Sequence, residues 1–166
     1  MKKYIAVLAA LLTLCILFAA QAEEEIPQFS GTLFSAGKQA VVYLASGEYE
    51  RLVTLLPFSD IAPSATEWQN FAEGNYLTIT SEFLPEDVQT EYSVAYWTGT
   101  DWLLAVPITI PETEDAEALV LSSADGLTFT GYRYALWTEI KEEYEQATYV
   151  TWNKEYIEAM PVITVD

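Results

Sequence analysis

The chemistry open to this chain runs through carboxylates and aromatic rings, because most other reactive groups are missing. The sequence holds no histidine, and its single cysteine, Cys15, lies within the first 22 residues. Ser-His-Asp and Cys-His nucleophilic sites are therefore excluded, as are His-ligated zinc sites. Neither a Gly-rich phosphate loop nor a dinucleotide fingerprint is present. Carboxylate pairs, a Ser-Lys arrangement or tyrosine chemistry remain. A glycosidase needs two carboxylates at a set separation across a sugar, one of them with a raised pKa. Glu50, Glu82, Glu91, Asp101, Glu139 and Glu158 fall on predicted strands or strand ends. In so acidic a chain they read first as solvated strand faces, and a small carboxylate-dependent hydrolase is the alternative function.

Calcium is the ion such a chain could hold, since it takes six to eight oxygen ligands. Glu112, Glu114, Asp115 and Glu117 in "PETEDAE", and Asp125 in "SSADG", are the candidates. Neither segment matches the EF-hand pattern, so both read as solvated loops and no cofactor is required.

The aromatic residues carry more information. With Gly99-Thr100 as a two-residue turn, Trp97 faces Trp102 directly across a hairpin, in the pair position where side chains come closest. Such a pair adds about 0.5–1.5 kcal/mol beyond area burial. Tyr96 lies on the opposite face. In "GYRYALW", Tyr132 and Tyr134 share one face while Arg133, Ala135 and Trp137 share the other. An exposed row of Trp97, Trp102, Tyr96, Tyr132 and Tyr134 would make a stacking surface for a glycan or a contact surface for a protein. The competing reading is that the rings fill a core.

The elements that would position these rings read as strands. Period-two alternation runs through most of the chain and marks half-buried strands. "GKQAVVYLA" (37–45) and "EYERLVTLLPF" (48–58) flank Ser46-Gly47, and "GNYLTITSEFL" covers 74–84. "TEYSVAYW" (90–97) and "DWLLAVPITI" (101–110) flank the Thr-Gly-Thr break. "ALVLSS" (118–123) and "LTFTGYRYALW" (127–137) flank Ala124-Asp125-Gly126. "ATYVTW" (147–152) and "YIEAMPVITV" (156–165) flank Asn153-Lys154-Glu155. One stretch differs. In "PSATEWQNFAEGN" (63–75), Ser64 and Glu67 form a capping box, Trp68, Phe71 and Ala72 share a helical face, and Gly74 stands where the helix should end. "LPEDVQ" (84–89) could supply one further turn. These signals predict an all-β fold, an antiparallel β-sandwich or barrel-like structure of about eight strands with one short helix.

The N-terminus bounds where the protein works. Lys2 and Lys3 precede an apolar run from Tyr4 to Ala20, followed by Ala20-Gln21-Ala22 and three glutamates. That order of parts is a Sec signal peptide, which predicts a leader at 1–22, an acidic segment at 23–28 and a single β-rich domain at 29–166. Leu14 is too large to precede a lipobox cysteine. The mature chain would carry no disulfide and no transmembrane span, in the periplasm, at the cell surface or in the medium. It would hold five basic residues against 25 acidic ones, a net charge of −20. Nucleic acid is excluded as a partner. The leading expectation is an exported, non-catalytic binding or structural module whose partner is a glycan or an extracytoplasmic protein.

The segments "WTGTDWLLAVPITI" and "WNKEYIEAMPVITV" echo each other. Their apolar faces are out of phase by one residue, which turns every side chain over. The likeness therefore reads as composition rather than duplication.

Overall fold

The computed structural model of the chain describes residues 26–75, 90–108 and 116–152, with Trp152 described by its backbone alone. The predicted leader, the 76–89 stretch, residues 109–115 and the predicted strand at 156–165 lie outside the described residues, and with them most of the second echoing segment.

Two long segments expected as strands are helices. Helix α1 spans Gly31–Ala45 and α2 spans Tyr49–Leu55. Counted from Leu33, the buried positions of α1 are Leu33, Gly37, Ala40, Val41, Leu44 and Ala45, a stripe at helical spacing. The β-branched "AVVY" conceals that stripe when the count begins at Gly37. The Ser30 hydroxyl accepts a hydrogen bond from the Thr32 amide and caps the N-terminus. Gly47, at φ 70°, turns the chain between α1 and α2. Helix α3, Ala65–Gly74, forms where the capping box predicts it. The Ser64 hydroxyl accepts from the Glu67 amide at 3.3 Å, and the Glu67 carboxylate accepts from the Ser64 amide at 2.7 Å.

The strands are β1 (Val94–Trp97), β2 (Trp102–Pro107), β3 (Glu117–Ser123), β4 (Gly131–Leu136) and β5 (Tyr149–Trp152). They make one antiparallel sheet in the order β4-β3-β2-β1-β5. A 3-10 turn, Thr90–Tyr92, precedes β1. The predicted strand 127–137 is shorter than its alternation suggests. It begins at Gly131 and yields at Trp137 to α4, Trp137–Glu145, whose Glu139 carboxylate accepts from the Leu136 amide. Helix α4 crosses the sheet to deliver β5 beside β1. Because β4 and β5 both run parallel to β2, this is a crossover over three intervening strands.

The β-sandwich is thus corrected to a mixed α/β architecture: among the described residues, four helices and one five-stranded sheet. Both faces of the sheet are apolar, and helices cover them where a second sheet was expected. On one side α1, α2 and α3 pack on Ala95, Trp102, Leu104, Val106, Leu119 and Leu121. On the other, Ala105, Ala118 and Ala135 leave room for α4, whose Trp137 and Ile140 fill the space above Val94, Tyr96 and Val120.

Gly37 fixes how closely α1 approaches the sheet. A Cβ there would stand 2.3 Å from Leu104 Cδ2 and 3.3 Å from Leu121 Cδ1, both on buried side chains. Gly37→Val is expected to destabilise the fold by about 1–3 kcal/mol through overpacking. Gly74→Ala, which meets nothing within 4 Å, should stay within about 0.5 kcal/mol of the parent. Urea unfolding of the two variants checks this, and equal midpoints would contradict the close approach.

Candidate functional site at the hairpin end of the sheet

The β1–β2 hairpin forms as its sequence dictates. Thr98 donates its amide to the Asp101 carbonyl at 3.0 Å, Gly99 takes φ 103°, and Trp97 pairs with Trp102. Their ring centroids lie 5.8 Å apart, tilted by 59°. Trp102 is only 1% exposed and stands at the centre of a ring cluster. Phe29 lies 5.3 Å from it and Tyr149 lies 5.7 Å away, edge-on. Its indole N–H donates to the Pro27 carbonyl at 2.7 Å, which satisfies a buried donor.

The N-terminal segment 26–30 is held at a second point. The Ser30 amide donates to the Gly126 carbonyl at 2.9 Å. Gly126, at φ 71°, lies so close that a Cβ would stand 2.5 Å from the Gln28 carbonyl oxygen. Asp125 shapes this β3–β4 connection. One carboxylate oxygen accepts from the Leu127 and Thr128 amides, each at 2.8 Å, and the other from the Thr128 hydroxyl at 3.0 Å. Those bonds, the Leu127 amide first, hold the carboxyl down to about 2. The strands were expected to flank Ala124-Asp125-Gly126 directly. The ladder instead closes at Ser122–Gly131, around a longer loop.

The connections at this end of the sheet carry apolar side chains into solvent. Ile61 is 95% exposed, Leu127 63% and Tyr149 53%. Leu127 lies in the β3–β4 loop. Tyr149 opens β5 and pairs with Trp97. Ile61 follows Pro57 and Ser59, whose carbonyl and amide bond the Phe129 backbone just ahead of β4. Trp97, half-buried, completes the surface. No family model, curated protein or solved structure matches the chain.

The five nominated rings are not brought together on one exposed face. Trp102 is buried within the ring cluster. Tyr96 is 0% exposed and lies on the α4 side of the sheet. Its hydroxyl donates to Glu143 at 2.6 Å, and Glu143 also accepts from Arg133 at 2.7 Å. Tyr132 packs 4.2 Å from Trp68, beneath α3. The Tyr134 hydroxyl donates to Glu117 at 3.0 Å. Trp97, half-buried, packs against Trp102 beside the exposed Tyr149. Tyr149 was missed, although pairing "TYVTW" with "VAYW" would have placed it opposite Trp97. Ile61 and Leu127 stand out only as apolar residues inside polar loop sequences.

Carboxylate chemistry finds no assembled pair among the described candidates. Glu50 is exposed on α2, Asp101 lies in the hairpin, Glu91 lies at the opposite end of β1, and Glu139 follows β4. Glu82 and Glu158 lie outside the described residues. So do Glu112, Glu114 and Asp115 of the calcium candidates, and no group of three acidic, His or Cys side chains able to hold a metal occurs among the described residues.

Two titrations report on these networks. Because Asp125 is depressed in the folded state, its contribution is complete above the unfolded value near 3.9 and is lost as pH falls toward about 2. Asp125→Ala should therefore lower the urea midpoint at pH 7, with the gap to the parent closing below about pH 3. Burial, and then the Glu143 carboxylate, raise the Tyr96 phenol far above its ordinary range, with Arg133 opposing. Its stabilisation is complete below about pH 10, where an unfolded tyrosine begins to ionise, and falls as pH rises further. Tyr96→Phe should cost about 1–3 kcal/mol at pH 7 through the lost bond to a charged group. It should also flatten the decline in stability above about pH 10. A variant matching the parent in both respects would show that the bond carries no weight.

Proposed function

We propose that the chain is an exported, non-catalytic module that contacts a protein partner through the apolar hairpin end of its sheet. One observation carries this reading. Ile61, Leu127 and Tyr149 are the large apolar side chains exposed among the described residues, and Leu127 and Tyr149 lie on connections at that end of the sheet. Exposed apolar side chains are the groups that a protein contact would bury. A pyranose would use the flat rings of Trp97 and Tyr149, but the aliphatic Ile61 and Leu127 offer it nothing to stack on. They favour a protein surface over a glycan. The leader at 1–22 supports export. Among the described residues no helix is long and apolar enough to cross a membrane.

The test is capture from the extracytoplasmic fraction of the producing cells by the mature chain and by an Ile61→Ser, Leu127→Ser double variant. The parent should retain a partner that the double variant loses by about tenfold or more, a loss the size of a hot spot, with circular dichroism unchanged. Capture that survives the double variant, or glycan-array binding without protein capture, would overturn the reading.

A further inference from the structure

Helix α3 is attached to the rest of the fold by side-chain packing. Among the described residues, every hydrogen bond made by residues 64–75 stays within that stretch. Ser64 and Glu67 cap its start, Gln69 donates to Glu73 at 2.9 Å, and the Asn75 side-chain amide donates to the Phe71 carbonyl at 2.8 Å. The helix completes its own polar bonding and breaks none of it by moving as a unit.

Its anchor carries an unmet cost. Trp68 is fully buried against Tyr132 at 4.2 Å, Phe71 at 5.9 Å and Phe58 at 6.4 Å, and its indole N–H has no acceptor among the described residues. Water would supply one. A buried donor left unpaired shifts the balance toward an uncovered state by roughly tenfold. Trp102, the other buried indole of this core, has its acceptor in Pro27. The chain ahead of α3 is suited to bend. The Phe129 amide donates to the Pro57 carbonyl at 2.8 Å and the Ser59 amide to the Phe129 carbonyl at 2.9 Å, which holds the chain as far as Ser59. Asp60, Ile61 and Ala62 are exposed and make no hydrogen bond among the described residues.

We propose that α3 is a hinged lid, which lifts about residues 60–62 in the folded protein and uncovers an aromatic cleft lined by Phe58, Phe129 and Tyr132. These three rings already pack on one another beneath it, with centroids 6.1 Å and 6.4 Å apart. Opening gives the Trp68 N–H to water and gives up the packing of Trp68, Phe71 and Ala72. Helix α1 has no such freedom, since its buried stripe covers the middle of the sheet. Local openings of this kind require less free energy than global unfolding, and the cleft is accessible only in the open state.

The chain from residue 23 onward contains no cysteine, so a single buried thiol reports on opening. Ala72 of α3 and Ala40 of α1 are both 0% exposed. Ala72→Cys should react with a thiol reagent at least about tenfold faster than Ala40→Cys without denaturant. Its rate should also rise less steeply with urea, because a local opening exposes less surface. The parent gives a second reading that needs no substitution. Followed by NMR in heavy water, the Trp68 indole N–H should exchange through the fast opening and that of Trp102 only through global unfolding. Equal labelling rates with equal urea dependence would show that α3 leaves only with the whole fold, and the lid is refuted. Fast labelling of Ala72→Cys with a Trp68 indole as protected as that of Trp102 would reduce the motion to fraying of the helix end, which refutes it as well. If Ala72→Cys does not fold, the two indoles of the parent decide alone.

Discussion

The hairpin end is organised by one buried indole. Trp102 must place its N–H on an acceptor, since leaving a buried donor unpaired costs about 1–3 kcal/mol, and the acceptor it finds is the Pro27 carbonyl. That bond fixes the N-terminal segment against the sheet. The segment in turn places Ser30 as the cap of α1 and brings its amide to the Gly126 carbonyl. Around the same ring, Phe29, Trp97 and Tyr149 each find an apolar wall. Four separate parts of the chain (the N-terminal segment, the β1–β2 hairpin, the β3–β4 loop and β5) are thereby tied to one side chain, directly or through one bond.

What could be foreseen of this arrangement was local. The Trp97–Trp102 hairpin follows from Gly99 and the polar residues beside it, and α3 follows from Ser64 and Glu67, because each signal lies within a few residues of the structure it causes. The failures come where period two and period 3.6 overlap. "AVVYLA" satisfies a strand, but Leu33, Gly37, Ala40, Val41 and Leu44 satisfy a helix, and Ser30 lies outside the window that would have shown it. At "YRYALWTEI" a true strand runs without a break into a helix, because Leu136 and Trp137 suit both periods and no glycine or proline marks the change. The site was less legible than the fold. Whether an aromatic is core or surface depends on what covers the sheet, and for Tyr96 that is α4, a helix the sequence pattern did not announce.

The double covering of the sheet has a consequence for recognition. Helices α1 to α3 occupy one face and α4 the other, so the Tyr and Trp residues that might have made a flat platform are held between layers. Tyr96 shows the cost of that position: its hydroxyl, withdrawn from solvent, needed a partner, and Glu143, already held by Arg133, supplies it. Tyr132 lies under α3 against Trp68 and Phe71. With both faces closed, side chains reach solvent chiefly at the ends of the sheet and along its outer helices. The outer helix faces are largely polar, as shown by the exposed Glu50, Glu73, Lys141 and Glu142. Leu127 and Tyr149, on connections at the hairpin end, remain outside.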